Sequence, residues 1–179
     1  MAEFLWIFWS FSLLGWGLER LFAAVTRSPQ RRRRCLLLLP LCPVYGLGMA
    51  AVLALPPSLR SGWPLYIWGC LTATAVEYIY HWWGETFLGV SFWDYTGVFG
   101  NLRGRVCLPF SLAWGLLLFP AVYLVTPPVV ALADRVPIGV TWWLLLAFTA
   151  DAVCSLRFLA VTHDLEALRA VIWPVSADR

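Results

Sequence analysis

The chain contains no lysine; all thirteen of its basic residues are arginine. A GC-rich coding sequence explains that bias most simply, although arginine also pairs bidentately in dry surroundings. Charge of either sign is scarce, at 13% of residues against 61% hydrophobic. An ordinary soluble domain carries about 25% charged residues, so that class is excluded. Cysteine is sparse and odd in number. Cys35, Cys42, Cys70, Cys107 and Cys154 lie within or at the edges of apolar segments, without zinc-like spacing. No disulfide framework is expected, and the thiols read as small buried apolar side chains.

Other absences narrow the chemistry. There is no G-x4-G-K-[ST], so the chain hydrolyses no nucleotide by that route. H-E-x-x-H and G-x-S-x-G are missing too, and His163-Asp164 has no nucleophile beside it. An enzyme is therefore the weaker reading, and no cofactor is implied. Arginines cluster only in Arg31 to Arg34, next to an apolar run. That pattern reads as a topology signal touching anionic lipid, not as nucleic-acid binding. The N-terminus carries Glu3 where a signal peptide would be positive, and no convincing small-x-small cleavage site follows. It reads as a retained first span.

What the chain does have is long apolar runs. With 179 residues there is room for about five or six membrane-crossing helices of ~20 residues. Five segments fit, at about 4–24, 35–55, 64–83, 106–125 and 140–160. The expected fold is all-α, a single polytopic membrane helix bundle of about five transmembrane helices, with a tail over 161–179. Arg27, Arg31 to Arg34, Arg103, Arg105, Arg169 and Arg179 fall on one side, against Arg60 and Arg135 on the other. The positive-inside rule then puts the N-terminus outside and the C-terminus in the cytoplasm. Trp6, Trp9, Trp63, Trp68, Trp142 and Trp143 lie near outer ends; Trp82, Trp83, Trp93 and Trp173 lie near inner ends. Such a belt suits an amphipathic ring. The stretches LPPSLRSGWP and VTPPVVALADRVP read as Pro-rich outer turns. The tail can form an amphipathic helix, with Leu165, Leu168, Val171 and Ile172 on one side.

Ionisable residues inside these spans are the functional candidates, because each is costly in hydrocarbon unless paired or hydrated. Glu19 and Glu77 fall about 8–9 Å inside the cytoplasmic boundary, and Asp151 about 13 Å, at 1.5 Å per residue. Arg20, Arg157 and the Arg103/Arg105 segment are available to neutralise them. Glu77, His81 and Glu85 follow i, i+4, i+8 and share one helix face. Interhelical pairing, proton or substrate handling and two ligands of a metal all fit that spacing. The second span carries Pro40, Pro43, Gly46 and Gly48. Each proline removes a backbone donor, and freed carbonyls in lipid must find partners in protein or cavity water. A broken helix beside buried acids is the geometry of many transporter sites; a plain kink is the alternative. The segment over 88–105 reads either as a re-entrant loop packed under a cavity or as a surface loop. Its Trp93, Asp94 and Tyr95 lie at the interface. Asn101 and Gly104 mark a tight turn, and Asp94 can cap a turn or pair with Arg103 or Arg105.

The runs FSLLGWGLE, LCPVYGLG, VEYIYHWWGETFLGVSFWDY and NLRGRVCLPFSLAWG together resemble a family of bacterial membrane proteins. That family is the putative ABC-transporter type IV group, or CmpB-like permeases. The resemblance spans roughly 11–115. It carries over Gly15, Trp16, Glu19, Pro43, Tyr45, Gly46, Glu77, Glu85, Trp93, Asp94, Tyr95, Asn101, Gly104, Arg105, Cys107, Ser111, Trp114 and Gly115. The chain has LCPVYG where the family pattern is G-P-x-x-P-x-Y-G.

The resemblance implies transport. The leading expectation is a permease or transporter subunit with a polar, inner-leaflet cavity lined by carboxylates. Its substrate- or ion-binding residues would be Glu19, Glu77, His81, Glu85, Asp94, Tyr95, Asn101, Arg105 and Asp151, with no metal. Its surroundings would be the lipid bilayer, a small substrate or ion, and a second copy or a separate ATPase or partner subunit. The alternatives are a membrane enzyme acting on a lipid-linked substrate, and a non-catalytic assembly partner.

Overall fold

A computed structural model describes residues 1–26 and 35–170. The described residues are all-α, with one isolated bridge between Leu102 and Val106. Helix α1 covers Ala2–Thr26, α2 Pro43–Leu53, α3 Gly62–Trp83, α4 Leu108–Pro120, α5 Thr126–Ala133, α6 Ile138–Thr162 and α7 Leu165–Ala170. Widened π turns at Gly84–Leu88 and Ala121–Val125 follow α3 and α4.

The expected second helix begins eight residues late. Proline disfavours helical backbone in the residue before it and has no N–H of its own. Pro43 therefore opens α2, and Cys42 before it is extended, at φ −111° and ψ 93°. Residues 35–42 are not helical, and their amides find other acceptors. Leu38 and Leu39 donate to the Asp151 carboxylate at 3.1 and 2.8 Å. The Cys42 amide donates to the Ser12 carbonyl at 2.9 Å. A disulfide joins Cys35 to Cys42 across this segment. The expectation of five apolar thiols fails for that pair, because the break folds the chain back until the two Cα atoms are 5.1 Å apart.

The fourth helix shows the opposite outcome. Its Pro-rich C-terminal stretch does not turn out as a loop but continues helically, giving one helix of 26 residues over Leu108–Ala133. The π turn opens the backbone just after Pro120. Thr126 then donates its hydroxyl to the Ala121 carbonyl at 2.8 Å. Pro127 and Pro128 follow this π turn directly.

Contacts between helix ends show that successive segments run in opposite directions. At one end, Trp6 of α1 donates to Thr141 of α6, and the Gly62 amide of α3 donates to Tyr123, beyond α4. At the other end, Tyr45 of α2 meets Glu19 of α1, and Trp114 of α4 meets Glu77 of α3. The first end has an apolar core of Ile7, Phe11, Met49, Val52, Leu65 and Leu118. The second has Leu36, Leu37, Tyr80, Leu88, Phe92, Leu159, Leu165 and Leu168. In the tail, the Asp164 carboxylate caps α7 by accepting from the amides of Glu166 and Ala167. Leu165 and Leu168 turn into the second core and do not lie outward on a surface. Val171, Ile172, Trp173, Arg179 and Arg31 to Arg34 lie outside the described residues.

Leucine and tryptophan cover much of the outside. Leu21, Trp63, Leu116, Leu124, Trp143, Leu146 and Val161 are all exposed. In water such a surface would associate; a bilayer covers it. Among the described residues, two helices, Leu108–Ala133 and Ile138–Thr162, are long and apolar enough to cross a membrane. Of the tryptophans expected at interfaces, Trp63, Trp68, Trp82, Trp142 and Trp143 are exposed, whereas Trp9 is buried in the bundle.

Candidate functional site

Glycine brings the first two helices together. A Cβ at Gly15 would overlap the Tyr45 ring, and one at Gly46 would overlap the Phe8 carbonyl and the Ser12 hydroxyl. The small residues let α2 lie directly on α1, as in membrane helix pairs generally. Pressed against α1, Tyr45 donates its hydroxyl to Glu19. Its ring meets the Trp114 ring edge-on, with centroids 5.2 Å apart. The Trp114 indole in turn donates to Glu77 Oε2 at 2.9 Å. Tyr95, from the long loop after α3, donates to Glu77 Oε1 at 3.1 Å. Its own ring stacks on Phe110. Four segments and the loop thus converge on two carboxylates. Glu77 is only 2% exposed, and a carboxylate so buried requires such donors.

A cleft of about 270 Å³ lies against this cluster. Its walls include Leu14 and Leu18 of α1, Val44 and Met49 of α2, Ala73 of α3 and Leu117 of α4. Glu77, Tyr45 and Trp114 supply its polar groups, and Glu77 is its one charged residue among the described ones. The cavity expected from the sequence was polar and lined by several carboxylates. The observed cleft is apolar, with a single acid in its wall.

His81 and Glu85 lie one and two turns beyond Glu77 and form a second cluster. His81 is 1% exposed, and its Nε2 lies 3.1 Å from both Glu85 Oε1 and the Ser91 hydroxyl. Its Nδ1 has no hydrogen-bond partner. Glu85 Oε2 accepts from Arg105 Nε at 2.7 Å, and Arg105 also donates to the Tyr78 hydroxyl at 2.8 Å. The hydrogen bond to Glu85, followed by that to Tyr78, raises the Arg105 pKa above its ordinary value. The arginine expected to neutralise the buried acids therefore serves Glu85.

The remaining candidates hold backbone. Asp94 accepts from the Thr96 amide at 2.8 Å. The Thr96 hydroxyl and amide together hold its carboxyl below the usual range. Asn101 accepts from the Gly104 amide at 3.2 Å and donates to the Val98 carbonyl at 3.0 Å. Arg103 adopts the left-handed conformation, at φ 54°, inside that turn. The Trp93 indole donates to the Arg105 carbonyl at 2.7 Å. Asp151 binds the broken segment before α2 and, through Oδ1, accepts from Ser155 at 2.9 Å. The structure thus brings Glu19, Glu77 and Tyr95 to one place and His81, Glu85 and Arg105 to another. Asp94 and Asn101 stand apart as local ties, and Asp151 as a long-range tie to the segment before α2. Among the described residues, no three potential metal ligands converge.

Comparison with known families settles the relationship. The model of the family described as "Putative ABC-transporter type IV" matches residues 6–156. The chain belongs to that family. The match reaches past the resemblance over 11–115, through α4 and α5 and most of α6. The family name marks an ABC-transporter-related membrane protein. No curated protein and no solved structure gave a match.

Sequence reasoning placed Tyr45 and Trp114 on the family pattern but not among the binding residues. A signal for them was present. A tyrosine or tryptophan inside an apolar span usually finds a partner for its O–H or N–H. Two such residues near two unexplained carboxylates form natural pairs.

Proposed function

We propose that this chain is the membrane subunit of a transport system, a five-span, multi-pass protein of the bacterial inner membrane. Its N-terminus lies outside and its C-terminus in the cytoplasm. The observation that carries this reading is the cleft itself. A space close to the ~300 Å³ lower end of ligand pockets ends on a carboxylate 2% exposed. An acid kept among spanning helices is costly unless it has work there, and Glu77 is both hydrogen-bonded and in contact with the empty space.

The family membership supports the direction of the reading, as does the alternation of helix directions. In this proposal Glu77 recognises the substrate, and Tyr45 and Glu19 support it from the other wall. Glu85, His81 and Arg105 brace the end of α3. With no phosphate-binding motif in the chain, energy from ATP would enter through a separate ATPase subunit, or the chain would work as a pair of copies. Nothing in the loop favours the lipid-modifying alternative, because Asp94, Asn101 and Arg105 are engaged in shaping it.

The test is transport by membrane vesicles from cells expressing the chain with its neighbouring genes, screened with a panel of labelled amines and cations. Glu77→Gln removes the charge but keeps the shape. Flux should fall by about tenfold or more, the effect of losing a charged hydrogen bond, at unchanged protein content. Equal flux in both proteins would overturn the role of Glu77.

A further inference from the structure

The cleft is open on its side. Helix α1 meets the continuous α4–α5 helix at both ends: Phe22 packs edge-on against Phe110 of α4 at one, with centroids 6.0 Å apart, and α5 packs on α1 at the other. Between these contacts Leu14 and Leu18 of α1 and Leu117 of α4 line the cleft and are also exposed, at 51, 38 and 44%. The opening therefore lies midway along the helices, on an apolar face, and not at the polar end of the bundle.

From this geometry we infer that the cleft takes a single-chain alkyl ammonium amphiphile, which enters sideways from the bilayer and places its head group at Glu77. This deepens the transport reading above and rests on it. Three features support the assignment. The opening offers no polar rim, so a hydrated solute would have to shed its water before entry. The walls are mostly aliphatic, which suits a hydrocarbon chain. A chain gains little by leaving lipid for an equally apolar cleft, so selectivity must come from the other end. There Glu77 and, through Tyr45, Glu19 bring two carboxylates together. They favour a cationic donor head and repel an anionic one.

The experiment is photolabelling of the purified full chain in nanodiscs, using dodecylamine with a diazirine at the far end of its chain. Saturable labelling is expected on peptides containing Met49 and Leu117. Unlabelled dodecylamine should compete, and dodecanoate should be weaker by about tenfold or more. Gly48 lines the cleft and has open space around it, so Gly48→Leu fills the site without a clash. That variant should lose labelling by about tenfold with an unchanged elution profile and helical circular dichroism. Ala73→Leu, from the facing helix, provides a second blockade should the first variant fail to fold. Gly17→Leu, also in open space but outside the cleft, should label like the parent.

Equal labelling of the blocked variants, or equal competition by dodecanoate, would overturn the inference. Occupancy and flux separate the two proposals. Labelling without any effect of Glu77→Gln on transport defeats the transport role alone. Loss of transport in Glu77→Gln with no labelling of the parent defeats the alkyl ammonium assignment alone.

Discussion

Two carboxylates on two apolar helices are used in opposite ways. Asp151, midway along α6, accepts backbone amides from Leu38 and Leu39 and the hydroxyl of Ser155. Glu77, near the end of α3, accepts from the side chains of Tyr95 and Trp114 and borders a cleft. Depth along the helix does little to distinguish them, at about 8–9 Å for Glu77 and about 13 Å for Asp151. The donors make the distinction. Backbone donors mark an acid that completes a broken segment; side-chain donors beside empty space mark one that can exchange partners with a ligand.

The comparison predicts a double dissociation. Asp151→Ala should give the largest loss of stability, about 2–4 kcal/mol for three accepted hydrogen bonds. It would appear as a lower thermal midpoint by circular dichroism in detergent. Glu77→Gln keeps one acceptor oxygen for the Trp114 indole, and its amide can donate to the Tyr95 hydroxyl oxygen, so it should cost about 1 kcal/mol or less, while abolishing amine labelling. If the two variants lost stability equally, the distinction drawn from the donors would fail.

Trp114→Phe sharpens it further. The ring stays, but Glu77 Oε2 loses its indole donor. A buried acceptor left unmatched costs about 1–3 kcal/mol, so this variant should be less stable than Glu77→Gln although it is farther from carrying charge. Thermal midpoints of the two proteins, measured side by side, decide the order. Arg105→Lys should have a smaller effect. Lysine cannot bridge Glu85 and Tyr78 together as the guanidinium does, yet Glu85 is 35% exposed. The expected loss is small, as for solvent-screened pairs, again read from the thermal midpoint.

Much of the fold is legible in the amino-acid sequence. Composition points to the all-α membrane class, and hydropathy finds α1, α3 and α6 within a few residues. The i, i+4 spacing puts Glu77, His81 and Glu85 on one face, and the prolines at 40 and 43 announce the break. Proline alone does not reveal that the stretch after Pro120 stays helical. There the helix continues through a π turn, and the Thr126 hydroxyl adds a bond to the Ala121 carbonyl. The pairing of Cys35 with Cys42 and the use of Asp151 are not legible either. Both depend on how residues 35–42 fold back, a non-local fact. Depth along a helix groups Asp151 with Glu19 and Glu77. Depth carries no azimuth, and it is the facing direction that separates them.

The smallest predicted effect concerns acid. The Thr96 hydrogen bonds place the Asp94 pKa below its unfolded value of about 3.9, without burying the carboxyl. A depressed carboxylate contributes stability that is complete above its unfolded pKa and lost as pH falls through the lower, folded one. The contribution is therefore present throughout the neutral range and vanishes only in strong acid. Asp94→Asn should leave the thermal midpoint near pH 7 little changed, because the amide oxygen can still accept from Thr96. It should also flatten the decline of that midpoint below about pH 4. A decline as steep as that of the parent would show that the Asp94–Thr96 turn contributes nothing to acid sensitivity, and that the carboxylates of the bundle carry all of it.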